Sequence, residues 1–515
     1  MAAPPPSPET APNAPPRLLS MSEAAGVLLL ASVFFAILMA GMDGLVVSTV
    51  LPTIASDLHQ RNGVTFVVSG YLVASTVAIP IFGRLSDISS RRNVFLAGLT
   101  IFIVGSALAG LSQNLGELIA FRSMQGFGGG GIFPVAIAMI AVLFPPETRA
   151  KAVSILTSAA GIAIVAGPLL GSYIVSITTW RWVFYINLPF GVFAMVILWR
   201  TSGPLRPAVR GAFDLPGAGL MAGWVAALMV ALIQVSSAGW SWTDPRVLAL
   251  LGATAVLLVA FLLWELRVAE PLVPLRVLRQ RVMASASGIM LFTGIVFSAL
   301  VTFLSLFVGF VLGGSAGDIR DAIYFLAIPL IVGAALSGPI LDRYAYRTMV
   351  VPGLLLSGLV ALLLGGVTAA TPLWHLSFGF LPTGGLALPL IPVGFGLGLA
   401  FAGATVAVQN EARADQVGAA IGLTRFFQSL GGALGISLLT IYQSDRFHDL
   451  SRTAVTPGQV LAALATSYAD VFLALAVCIL LAFVSALWLR GRVRPSGSGS
   501  PAAETILPTK SDVEP

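Results

Sequence analysis

The chain has 515 residues, 57% hydrophobic and only 10% charged, where an ordinary soluble domain carries about 25% charged residues. A mean hydropathy of +0.94 is more apolar surface than one aqueous core can enclose, so a soluble globule is excluded and a bilayer is the solvent. The single cysteine, Cys478, excludes an intrachain disulfide, the separated His59, His375 and His448 offer no zinc site, and the net charge of +6 is explained below by topology.

Residues 1–24 hold seven prolines and no basic cluster beside the first apolar run, which reads as a disordered tail and not a signal peptide. Fourteen apolar stretches follow, near 26–51, 64–82, 93–112, 117–143, 150–174, 181–199, 217–237, 246–266, 284–312, 320–341, 349–369, 384–408, 415–441 and 468–489. Each approaches the roughly 20 residues a helix needs to cross hydrocarbon, and the strict alternation of a membrane strand is absent. The expected fold class is an all-α polytopic membrane protein. The Ser/Pro/Gly-rich segment 492–515 reads as a second disordered tail.

With the amino terminus in the cytoplasm, twenty of the 28 Arg and Lys fall on the inner side and six on the outer. The remaining two, Arg122 and Arg425, lie inside spans. This asymmetry predicts a multi-pass protein of the cytoplasmic membrane with both termini inside, and it accounts for the basic charge without nucleic acid.

Charges within spans are costly, at least about 2.5–3.5 kcal/mol each, so each needs a reason. Asp43 sits in an otherwise uncharged first span and Arg122 near the outer end of the fourth. If the two spans are neighbours the side chains are level enough to meet. Low dielectric favours a neutral carboxyl and a guanidinium favours an ionised one, so a change in their separation moves a proton. The alternative is a static pair fixing helix register. Gln125 lies one turn from Arg122, and in span 13 Arg425 and Gln428 are one turn apart. They read as lining a pathway, with interhelical hydrogen bonding the alternative for Gln125 and snorkelling for Arg425.

The loop after span 2 reads Gly83-Arg84-Leu85-Ser86-Asp87 followed by Arg91 and Arg92. The loop after span 10 keeps Gly338, Asp342 and Arg347 at the same spacing, 255 residues on. An acid followed by arginines can latch two helices at the membrane surface. Gly167 and Gly171 of span 5 are echoed by Gly431 and Gly435 of span 13. These echoes predict a duplicated six-helix unit, residues 25–200 and 284–491, with two helices inserted at 201–283, the arrangement of a transporter with a site between halves. The segment 443–467 is expected as the longest outer loop.

At these residues the chain resembles the major facilitator superfamily, specifically its 14-span drug:proton antiporters. Gly83, Asp87, Arg91 and Arg92 are similar to the family's loop motif, although Ile88 and Ser90 stand where an arginine and a glycine are usual. Arg122, Gln125 and Gly126 match a fourth-span motif, and Gly161, Gly167, Pro168 and Gly171 match the antiporter motif, with Ser172 in place of its last glycine. The most specific string is Trp180-Arg181-Trp182 through Phe184, Ile186, Asn187, Pro189 and Gly191. Asn187 is counted with Gln125, Arg425 and Gln428 as a candidate cavity residue. The resemblance implies a fold of two six-helix bundles plus two inserted helices, proton coupling through Asp43 and Arg122, and gating by the Asp87 loop and its repeat.

The expected function is a proton-coupled exporter of hydrophobic or amphipathic small molecules, working as a monomer among membrane lipids, with protons and small-molecule substrates as its partners and neither cofactor nor metal. Alternatives are a dedicated exporter of one lipid, siderophore or self-made antibiotic, a channel, and, remotely, an intramembrane transferase. No Walker-type lysine is present, since Lys151 follows Ala150 and Lys510 follows Thr509, which excludes ATP-driven pumping within this chain.

Overall fold

The computed structural model describes residues 23–489 apart from 145, 202–212, 238–239, 274, 342, 369–375, 379–380, 384 and 412–416. Helices dominate because backbone groups in hydrocarbon must be satisfied within their own segment. The first part of the chain forms α1 (Glu23–Asp57), α2 (Phe66–Ile88), α3 (Arg91–Leu111), α4 (Leu115–Leu143), α5 (Pro146–Ile177), the four-residue α6 (Trp182–Tyr185) and α7 (Asn187–Thr201). Next come α8 (Leu215–Ser237) and α9 (Pro245–Arg267). The last part forms α10 (Arg281–Leu306), α11 (Ala316–Leu341), α12 (Tyr346–Ala361), α13 (Ala387–Glu411), α14 (Val417–Ser451) and α15 (Pro457–Leu487).

Among the described residues thirteen helices are long and apolar enough to cross a membrane, α6 and α7 together counting as one. The fourteenth expected stretch is α14, which has the length but not the same hydropathy. It carries Arg425, Gln428, Ser429 and Thr440 and is enclosed by α2, α8, α10, α13 and α15. Enclosure by protein removes the need for an apolar surface. One departure from an all-helical chain is a hairpin between α12 and α13, where β1 (Leu376–Phe378) pairs antiparallel with β2 (Leu381–Thr383).

The packing repeats. α1 lies against α5 and α7, and α4 lies against α2 and α3. Correspondingly, α10 lies against α14 and α15, and α13 against α11 and α12. The two sets meet through α2–α14, α5–α11 and α1–α10. α8 and α9 pack on each other, and α8 touches α2 and α14. α9 keeps Leu248, Val256, Val259 and Leu263 exposed, as a lipid-facing helix would.

The expected long outer loop at 443–467 does not exist. α14 runs on to Ser451 and α15 starts at Pro457, where Thr456 and Gln459 form a reciprocal cap. Gln443 donates to Ser467 at 2.9 Å and Arg446 to Asp470 at 2.8 Å, zipping the two helices together past their apolar portions. Polar pairs of this kind leave no mark on hydropathy, so the sequence reads as loop there. α1 likewise runs beyond its apolar stretch to Asp57.

Candidate functional site: a buried acid between four helices

α1 brings Asp43, α4 brings Arg122 and Gln125, α3 brings Ser106 and α7 brings Asn187 to one point. The approach requires missing side chains. A Cβ on Gly105 of α3 would lie 2.6 Å from the backbone nitrogen of Gln125, and one on Gly126 would lie 2.2 Å from the Tyr71 carbonyl oxygen on α2. Only glycine lets α4 sit this close to both neighbours. On the other side of α1, a Cβ on Gly167 of α5 would come within 2.8 Å of Leu45 Cβ, and one on Gly171 within 3.0 Å of the Val46 carbonyl. Asp43 is held between these two contacts.

Asp43 is 2% exposed and Arg122 0%. Arg122 Nη1 donates to Asp43 Oδ2 and, at 2.7 Å, to Gln125 Oε1. Gln125 Nε2 donates to Asp43 Oδ1 at 2.8 Å, and Asn187 Nδ2 donates to the same oxygen at 3.1 Å. Ser106 Oγ accepts from Gln125 Nε2 at 3.1 Å and Asn187 Nδ2 at 3.0 Å while donating to the Phe184 carbonyl at 2.9 Å. Arg122 Nε reaches the Val67 carbonyl at 3.3 Å, and the guanidinium carbon lies 4.4 Å from the centroid of the Tyr71 ring. Arg122 Nη2 is sealed from solvent and has no hydrogen-bond partner among the described residues. The carboxylate therefore accepts three hydrogen bonds, while both N–H groups of Arg122 Nη2 are left unpaired.

The Trp180–Gly191 string builds one wall of this site. Trp180 Nε1 donates to Asp57 Oδ2 at 2.8 Å, and Arg181 Nη1 to the same oxygen at 3.0 Å, which ties α6 to the end of α1. α6 then presents the Phe184 carbonyl to Ser106, and α7 starts at Asn187. A Cβ on Gly191 would meet Ile103 at 2.6 Å, so α7 lies close on α3.

The remaining expected residues fall elsewhere. Gln125 and Asn187, expected in a substrate cavity, are sealed against Asp43 and face no open space. Arg425 and Gln428 do pair, Arg425 Nη1 donating to Gln428 Oε1 at 2.8 Å, and the Arg425 guanidinium lies 5.4 Å from the Phe133 ring of α4. Asp87 and Arg91 come to 4.0 Å. Arg92 does not join that latch, because its Nη2 donates to the Trp199 carbonyl of α7 at 2.7 Å. Arg84 of the same loop instead pairs with Glu270, in the connection between α9 and α10. Among the described residues Gly83, Gly161 and Gly338 have no close neighbour where a Cβ would point, so no tight contact there explains them. Pro168 lies inside α5 between the two close-packed glycines, and Arg347 is exposed. Asp342 lies outside the described residues.

Sequence reasoning missed Ser106, Tyr71, the Phe184 carbonyl and the Arg84–Glu270 pair. Ser106 and Tyr71 are ordinary residues for a membrane helix and carry no charge to attract notice. A carbonyl leaves no sequence signal at all.

A helical bundle of two repeated packings, with an ion pair sealed inside one of them, is the architecture of a polytopic membrane protein. The chain belongs to the Major Facilitator Superfamily, whose model matches residues 33–436. It is 30% identical over 436 residues to the multidrug transporter protein MdtP of Bacillus subtilis, covering 84% of this chain and 77% of the relative. It is also 30% identical over 428 residues to the tetracenomycin C resistance and export protein of Streptomyces glaucescens, covering 82% of this chain and 76% of that protein. Among solved structures, a bacterial homologue of the human lysosomal transporter Spinster, in an inward-facing and occupied conformation, superposes with a TM-score of 0.63. It is 15% identical, and the match covers 92% of this chain and all of that one.

Proposed function

We propose that the protein exports hydrophobic or amphipathic small molecules in exchange for protons, with Asp43 as the proton-carrying group and Arg122 as its counter-ion. The face at which α1 begins is then cytoplasmic, and the two packings rock against each other to expose a central pathway alternately to each side. Relatives named as a multidrug transporter and as an antibiotic export protein support the direction and kind of cargo.

The observation that carries the coupling is the sealed network around Asp43. While the carboxylate is ionised it satisfies donors from Arg122, Gln125 and Asn187. A proton on either oxygen removes acceptor capacity and leaves the guanidinium, which already has one unpartnered nitrogen, without its counter-charge. Losing one partner of a buried pair costs about 3–5 kcal/mol, so protonation favours an arrangement in which α1 and α4 part and water reaches Arg122.

That movement has a route to the other half. Asp43 lies beside Met42 and Leu45, against which Gly167 packs. Two residues away on α5, the Val165 carbonyl accepts a 2.9 Å hydrogen bond from Tyr324 Oη of α11. Displacing α1 therefore pushes on α5 at the boundary between halves. One proton crossing 100 mV releases about 2.3 kcal/mol, and with a pH difference a total of about 3–4 kcal/mol sustains a cargo gradient of about 10²–10³.

The test is export driven by an imposed pH gradient in proteoliposomes, comparing the parent with Asp43→Asn. The parent accumulates cargo against its gradient and the variant does not. Equal accumulation by both would remove Asp43 from the mechanism.

A further inference from the structure

We infer that Arg425 and Gln428 form an oxyanion subsite in the transport pathway, so that the preferred cargo is an amphipathic molecule bearing a carboxylate, sulfonate or phenolate. This rests on the exporter reading above and assigns its cargo class.

α4 and α14 belong to opposite halves and do not pack along their lengths, yet the Arg425 guanidinium reaches across to 5.4 Å from the Phe133 ring. The side chain thus bridges the gap between halves. Nη1 is occupied by Gln428 Oε1 at 2.8 Å. Nε and Nη2 donate to no described residue, and neither is sealed off in the way that Arg122 Nη2 is. Those two nitrogens form the side-on fork of the guanidinium, which matches the two oxygens of a carboxylate or sulfonate. Phe133 supplies an apolar face beside it, suited to the body of an amphiphile.

No acid competes for the fork. Arg425 makes no ion pair among the described residues, whereas Asp43 is consumed by Arg122. α8 and α10 carry no Asp or Glu. On the other surrounding helices, Asp87 stands beside Arg91 at the end of α2, Glu117 at the start of α4 and Glu411 at the end of α13, while Asp470, midway along α15, is bound to Arg446. A pathway in which Arg425 has no acid partner among the described residues, between low-dielectric walls, attracts anions and repels cations.

The experiment uses the full chain in proteoliposomes with an inward-directed drive and two radiolabelled probes, taurocholate as the anion and tetraphenylphosphonium as the cation. The parent transports taurocholate with preference over tetraphenylphosphonium. Arg425→Gln lowers taurocholate transport at least about tenfold, a loss of one good charged contact, and narrows or reverses the preference, while Arg425→Lys keeps part of it. Gln428→Glu, which places a carboxylate against the fork without removing the arginine, has the same effect as Arg425→Gln and serves if that variant fails to fold. Undiminished taurocholate transport by Arg425→Gln or Gln428→Glu overturns the subsite, as does a parent that moves tetraphenylphosphonium in preference. In both cases the exporter reading stands. A parent that moves neither probe under a pH gradient overturns the exporter reading, and the subsite with it.

Discussion

Asp43 and Arg122 stand 79 positions apart in the chain and on different helices, yet they share a hydrogen bond with no exposed side-chain surface on either residue. Every other ion pair among the described residues has at least one partner that is partly exposed. A fully buried pair is expensive to make and more expensive to break, and the proposed function is one that uses the breaking.

Removing the cation changes when that breaking occurs. In Arg122→Ala the Asp43 carboxyl loses its counter-ion, so the pH dependence of transport is expected to change while cargo binding persists. The transport rate measured across pH in liposomes checks this. Loss of the folded protein on size-exclusion chromatography would instead assign the pair a static, register-fixing role.

Asn187 contributes one of the two amide donors to Asp43 Oδ1 and also donates to Ser106. Asn187→Ala leaves both acceptors short and is expected to lower stability by about 1–3 kcal/mol, seen as a reduced Tm in detergent. Transport falls in rate but stays proton-driven, because the Arg122 contact survives.

The two glycines of α5 that touch α1 behave differently from the one that does not. Gly167→Val forces a branched side chain into Leu45 and the Met42 carbonyl and is expected to cost about 1–3 kcal/mol by overpacking, with transport lost. Gly161→Ala meets nothing within 4 Å and leaves both Tm and transport near parental values. Equal effects at the two positions would refute the close α1–α5 contact.

On the face opposite the two helical termini, Thr65 and Thr440 join α14 to the start of α2 with a 2.7 Å hydrogen bond between their hydroxyls. Cysteines at both positions, in a background with Cys478 replaced by Ser, are expected to cross-link under mild oxidant. Cross-linking then stops transport, and reduction restores it. Full activity of the oxidised protein would show that this contact does not open during the cycle.

Much of this architecture was legible in the sequence for one physical reason: hydrocarbon makes polar and charged residues conspicuous. The helical stretches stand out by length, Asp43 and Arg122 by being charged where charge is costly, and Gly167 and Gly171 by spacing. What was not legible lacks such contrast. Ser106 and Tyr71 resemble any other small polar or aromatic residue of a membrane helix. The extension of α14 to Ser451 is hidden because Gln443 and Arg446 look like loop residues until their partners Ser467 and Asp470 are placed beside them. Arg84 read as part of a local loop motif, and its pairing with Glu270 depends on where the α9–α10 connection crosses.

The most direct measurement follows protons and not cargo. Proteoliposomes loaded with a pH-sensitive dye are given an outward cargo gradient at equal pH on both sides, and internal pH is recorded. Cargo leaving through the parent protein acidifies the interior, and Asp43→Asn abolishes that signal while still exchanging labelled for unlabelled cargo. Acidification of equal size in the variant would contradict the assignment of Asp43 as the proton carrier.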